Sequence, residues 1–143
     1  MAKILLIEDE PDQLYLIKVR LEANKYQVLT AENGNDGIRI AIKEKPDLIL
    51  MDMFLPDTHG LEVIKRLKEL PITRDIPIVA ITAMGTIEIE DECIRAGADD
   101  FIRKPYDSKE LLEKIEKNLK KSDNHGVENI YRIMQGKSEP TAK

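Results

Sequence analysis

Three runs of four consecutive apolar residues, Ile4-Leu5-Leu6-Ile7, Leu48-Ile49-Leu50-Met51 and Ile78-Val79-Ala80-Ile81, constrain this chain more than any other feature. Each is strand-sized and has no polar face, so each must be covered on both sides. Between them the pattern changes to helical spacing. Pro11 suits a first helical position, and Leu14, Ile17 and Leu21 then recur as far as Asn24. Tyr26-Gln27-Val28-Leu29-Thr30 reads as a further strand, punctuated by Asn33-Gly34, and Ile38, Ala41 and Ile42 mark a helix that stops before Pro46. A Pro56/Gly60 loop leads to a helix with Leu61, Ile64 and Leu67. Another runs from Glu88 to Ala96 and is ended by Gly97. Phe101-Ile102 centres a fifth strand. Asp107 and Glu110 make a capping-box-like start to a last helix carrying Leu111, Ile115 and Leu119. Strands alternating with helices over residues 1–121 predict an α/β fold, a doubly wound parallel sheet with helices on both faces.

Composition narrows the function. At 143 residues the chain is one ordinary domain, and 42% hydrophobic with 34% charged residues excludes wholesale disorder. The balance of 22 basic against 27 acidic residues, net −5, lacks the basic face of a nucleic-acid binder. A single cysteine, Cys93, rules out a disulfide framework and a four-cysteine zinc site, and two histidines rule out a histidine-rich metal site. With Met1-Ala2-Lys3 leading straight into a strand and no apolar stretch of membrane length, the expectation is a cytosolic protein without signal peptide or transmembrane span.

In a doubly wound sheet, ligands sit beyond the carboxyl ends of the strands. There the sequence places Glu8-Asp9-Glu10, Asp52, Thr82 and Arg103-Lys104-Pro105. Clustered carboxylates repel unless something compensates, and a hard divalent cation, Mg²⁺ rather than zinc or calcium, is the usual remedy. Lys104 adds a point charge able to hold an anion. Such a site suits phosphoryl transfer, with Asp52, central and flanked by apolar residues, as the candidate nucleophile.

These residues closely resemble the receiver domain of two-component response regulators, including the single-domain chemotaxis regulator. The resemblance rests on Leu6-Ile7-Glu8-Asp9, on Leu50-Met51-Asp52-Met53 with Leu55-Pro56 and Gly60, on Ile81-Thr82-Ala83, and on Ala96-Gly97-Ala98-Asp99 leading to Phe101-Ile102-Arg103-Lys104-Pro105. It implies a flavodoxin-like (βα)5 fold with strand order 2-1-3-4-5. It also implies that Asp52 accepts a phosphoryl group from a histidine kinase or histidine phosphotransfer protein, with the chain catalysing its own modification rather than acting as a metabolic enzyme. Asp9 and Asp52 would bind Mg²⁺, joined by the backbone carbonyl of Phe54 and, through water, by Glu8, where the family more often has aspartate. Thr82 and Lys104 would contact the phosphoryl oxygens, the bond before Pro105 would be cis, and Phe101 would be the aromatic switch. The implied output is a change in the face formed by the fourth helix, fifth strand and fifth helix. That face would meet a downstream protein or a second copy, with no direct contact to nucleic acid or membrane.

Other readings compete. The chain could be the receiver fragment of a larger regulator with a DNA-binding or enzymatic output domain, or a pseudo-receiver that takes no phosphate. A Mg-dependent aspartyl-phosphate hydrolase of the haloacid dehalogenase type would need a second acid where Phe54 stands. Phe54 and Met84, both bulky, would border the path of attacking water and predict a slowly decaying phosphoaspartate. His59 and His125 read as exposed and inert, Cys93 as packing or surface, and the run Glu88 to Glu92 as a solvated face. Residues 122–143 fall outside the receiver pattern. Val127, Ile130, Tyr131 and Met134 predict a short amphipathic helix over about 127–134, followed by a disordered end, which docks on the receiver or serves as a partner-binding arm.

Overall fold

Because the apolar runs leave no polar face, they assemble where both faces can be covered. The computed structural model describes residues 1–83 and 87–120. Its strands are β1 (Lys3–Ile7), β2 (Gln27–Ala31), β3 (Leu48–Asp52), β4 (Ile78–Thr82) and β5 (Asp100–Arg103). All neighbours are parallel, in the order β2-β1-β3-β4-β5. The helices are α1 (Pro11–Ala23), α2 (Gly34–Glu44), α3 (Gly60–Glu69) and α4 (Ile87–Ala96). A fifth, α5, spans residues 108–120. No helix among the described residues is long and apolar enough to cross a membrane. Met84 and the tail at 122–143, with the helix expected at 127–134, lie outside the described residues.

The period-two alternation of the strands divides the core into two layers. Leu5, Ile7, Ile49, Met51, Ile78 and Ala80 face α2, α3 and α4 through Ile38, Ala41, Val63, Ile64, Leu67 and Cys93. Ile4, Leu6, Leu48, Leu50, Val79 and Ile81 face α1 and α5 through Ile17, Leu21, Leu111 and Ile115. Chain direction reverses between β1 and β3, since β1 leads out to β2 while β3 lies on its other side. The crevice for a ligand therefore opens at the carboxyl ends of these two strands.

Element ends follow the expected chemistry, with one shift. Pro11 opens α1, whose N-cap Glu10 accepts from the amides of Asp12 and Gln13. Asn33 caps α2. Gly97, at φ +119°, ends α4 where a Cβ would stand 2.7 Å from Lys68 Cγ. The second strand runs one residue later than the alternation suggests, because the Tyr26 amide donates to Leu21 O at 3.1 Å and so belongs to the last turn of α1.

Leu50, fully buried in the central strand, and Leu16, 51% exposed on α1, make a matched test of this layering. Leu50→Ala should cost about 3 kcal/mol in urea unfolding, and Leu16→Ala less than about 0.5 kcal/mol.

Candidate functional site

Glu8 directly follows β1, Asp52 ends β3, Thr82 ends β4 and Lys104 directly follows β5. Parallel pairing carries all four to one edge. Carboxylate oxygens of Glu8, Asp9 and Asp52 lie within 4.8 Å of one another. Asp52 is buried, and both its oxygens have donors: Oδ1 accepts from the Phe54 amide at 2.9 Å and Oδ2 from Lys104 Nζ at 3.2 Å. The Lys104 amide donates to Thr82 O at 2.8 Å, continuing the β4–β5 ladder past the last strand residue. The Lys104–Pro105 peptide is cis.

The electrostatics are unbalanced. Glu8 is 1% exposed, yet only its Oε2 is engaged, by the Glu10 amide at 3.2 Å. Oε1 has no hydrogen-bond partner among the described residues, and Lys104 Nζ stands 4.0 Å away. Burial, and then the charge of Asp52, push the Glu8 carboxyl up to about 7. Thr82 Oγ1 is likewise buried and unpartnered among the described residues. A close set of oxygen donors with one buried oxygen unsatisfied fits a hard divalent cation, and a buried hydroxyl beside it fits an acceptor-rich anion.

The chain matches the family described as the response regulator receiver domain over residues 4–116. The chain belongs to that family. The protein PilH of Pseudomonas aeruginosa is 38% identical over 115 residues, covering 80% of this chain and 95% of PilH. RpaA of Synechocystis, a DNA-binding dual master transcriptional regulator by name, is 37% identical, covering 86% of this chain. The receiver chain spans about half the length of RpaA and of the Pseudomonas aeruginosa phosphate regulon regulator PhoB. Among solved structures, a CheY-like receiver domain protein of Methanospirillum hungatei superposes with TM-score 0.82 at 29% identity, covering 87% of this chain and 98% of that one. The receiver domain of the sensor histidine kinase PA1611 of Pseudomonas aeruginosa, with a magnesium ion coordinated in its active site cleft, has TM-score 0.77 and 30% identity, covering 82% and 97%. Receiver domains are phosphorylation-dependent signalling switches of two-component systems and not metabolic enzymes, so the hydrolase alternative falls.

Not every residue singled out from the sequence lies at this edge of the receiver. Phe101 is the second residue of β5, half-buried against the α2–α4 layer. Arg103 stands 5.9 Å and Lys114 Nζ 5.5 Å from its ring centroid. Phe54 is exposed, its ring edge-on to His59 at 6.5 Å. Two readings need correction. His59 is not inert: it caps α3, its Nδ1 accepting from the Leu61 amide at 3.3 Å. The acidic run on α4 is not wholly solvated. Glu90 is buried, accepting from Arg103 Nη2 at 2.8 Å and also from Arg103 Nε, because β5 brings the guanidinium under the helix. Two residues near the site went unnoticed in the sequence. Tyr106, whose hydroxyl is pushed up by burial and then by Glu8, follows Pro105 and could have been found from that position. Asp57 carries no local signal, since its partners are Gly34 and Asn35 at the start of α2.

The raised Glu8 carboxyl fixes a pH dependence. The folded, metal-free protein binds this proton more tightly than the unfolded chain, so stability falls as pH rises from about 4.5 through about 7. In chelator, Glu8→Gln should therefore be more stable than the parent at pH 8, by on the order of 2 kcal/mol, with the gap closing by pH 4.5. Urea unfolding at the two pH values reads it.

Proposed function

We propose that Asp52 is the phosphoacceptor of this receiver, taking a phosphoryl group from a phosphohistidine on a partner histidine kinase or phosphotransfer protein in the cytoplasm. The observation that carries the reading is the convergence of Glu8, Asp9 and Lys104 on the buried carboxylate of Asp52. In the transfer, an Asp52 oxygen forms a bond to phosphorus as the bond from phosphorus to the donor imidazole breaks, giving an acyl phosphate and a free histidine. Lys104, already on Asp52, moves with its charge to the phosphoryl oxygens. The buried Thr82 hydroxyl supplies a further donor to them. Asp9, Asp52 and the Phe54 carbonyl, with Glu8 through water, would hold Mg²⁺, which when bound neutralises charge on the transferring group. The protein's own groups position the donor, so the chain promotes its own phosphorylation and dephosphorylation.

The output reading rests on the face formed by α4, β5 and α5, with Phe101 as its switch. Glu88, Asp91 and Glu92 are exposed on α4, whereas α5 exposes Lys109, Lys117 and Lys120 among Glu110, Glu113 and Glu116, with Ile87 and Ile94 as exposed apolar residues of α4. A second copy or a downstream protein would cover Ile87 and Ile94 on this face. The tail at 122–143 is proposed as a second partner-binding segment, on the strength of its apolar spacing alone.

Incubation with a small acyl-phosphate donor and Mg²⁺ should label the chain, and Asp52→Asn should abolish labelling. Absence of labelling in the parent would favour a pseudo-receiver, and labelling that survives the substitution would reject Asp52. Labelled protein should sediment as a dimer, and unlabelled protein as a monomer. Phe54→Asn should shorten the phosphoaspartate lifetime about tenfold, some 1.4 kcal/mol of barrier, by opening the path of water. An unchanged lifetime would reject that role for Phe54.

A further inference from the structure

The loop that carries Phe54 is fastened to a helix with which it shares no sequence neighbourhood. Asp57 Oδ1 accepts from the Gly34 amide at 2.8 Å and Oδ2 from the Asn35 amide at 2.9 Å, so one carboxylate clasps the first two residues of α2. Helix-opening amides have no partner within their own helix, and the N-cap Asn33 reaches only the Asp36 amide, at 2.8 Å. Asp57 therefore takes the two that the cap leaves. Its carboxyl is held below the usual range chiefly by the Asn35 amide.

The approach is close enough to depend on Gly34. A Cβ there would stand 2.3 Å from Thr58 Cγ2 and 2.8 Å from Val63 Cγ2. At its base the same loop is closed by Gly60 N donating to Met53 O at 3.1 Å and by an antiparallel bridge between Phe54 and His59. The Phe54 amide is meanwhile tied to Asp52. The Phe54 peptide is thus suspended between the sheet on one side and, through Asp57, the amino terminus of α2 on the other.

We propose that Asp57 is a positioning residue for the divalent-cation site: by clasping α2 it holds the 53–59 loop so that the Phe54 carbonyl faces Asp9 and Asp52. The inference rests on the metal reading above. A capping role alone would stabilise α2 without touching metal affinity, and Asn33 provides the comparison, because it caps the same helix and among the described residues its side chain hydrogen-bonds to Asp36 rather than to the loop.

The experiment is a Mg²⁺ titration of the full chain followed by amide chemical shifts of Asp9 and Phe54, together with thermal melts in chelator. Asp57→Ala should weaken Mg²⁺ binding about tenfold, the low end for groups that orient metal ligands, while Asn33→Ala stays within about twofold of the parent. Asp57→Asn, which keeps one acceptor, should fall between. Gly34→Ala should weaken binding in the same direction as Asp57→Ala. If Asp57→Ala binds Mg²⁺ as the parent does, or if Asn33→Ala weakens binding equally, the positioning role is overturned while the metal site stands. If the parent itself shows no saturable shift at Asp9 and Phe54, the metal site fails and this role fails with it.

Discussion

A parallel sheet buried on both faces can carry polar side chains only at the ends of its strands. Nearly everything else in this receiver follows from that constraint. Of the three central strands, β3 and β4 are apolar until Asp52 and Thr82 at their last positions, and β1 is apolar after Lys3. The opposite edge is handled with equal economy. Lys68 donates to the carbonyls of Arg74 and Ile76, and Asp99 accepts from both Lys68 and the Ile78 amide. That edge is satisfied by its own groups. The carboxyl edge is not, and the difference between the two edges separates a structural end from a reactive one.

The imbalance is visible in particular atoms. Glu8 and Asp52 are both buried, and the lysine that serves them stands at 3.2 Å from Asp52 but 4.0 Å from Glu8. Gathering carboxylates in this way destabilises the metal-free protein, and the strain is relieved by a cation or an additional proton. Stability is given up at this edge of the sheet. Elsewhere the buried acids are balanced. Burial alone would raise Asp100, but hydrogen bonds from Lys114 and Asn118 hold it below the usual range. Glu90 is matched by Arg103. These two pairs strap β5 to α5 and to α4 on either side of Phe101, so the proposed output face is itself crossed by ion pairs.

Much of this was readable in advance, because the relevant signals are local. Strand and helix positions came from periodicity, the helix ends from Pro11, Gly97 and Asp107, and the candidate site from which residues stand at strand ends. What was not readable depends on contacts between segments far apart in sequence. Asp57 looks like an ordinary loop acid until α2 is brought beside it. Glu90 looks like one acid among several on α4, and only the register Thr82↔Arg103 puts a guanidinium beneath it. Tyr26 looks like a strand residue because the local pattern cannot show that the end of α1 has already taken its amide.

Sequence by itself determined the alternation of strands and helices, hence a doubly wound sheet, and the residue types at its carboxyl edge. It did so because side-chain period and strand-end position are properties of a few consecutive residues. Only the tertiary structure decided which carboxylates are left unsatisfied, which acids are paired, and where the Phe54 loop is anchored. Distance, burial and donor supply are set by segments that meet in space, and the difference between Glu8, Asp57 and Glu90 lies wholly in what each one meets.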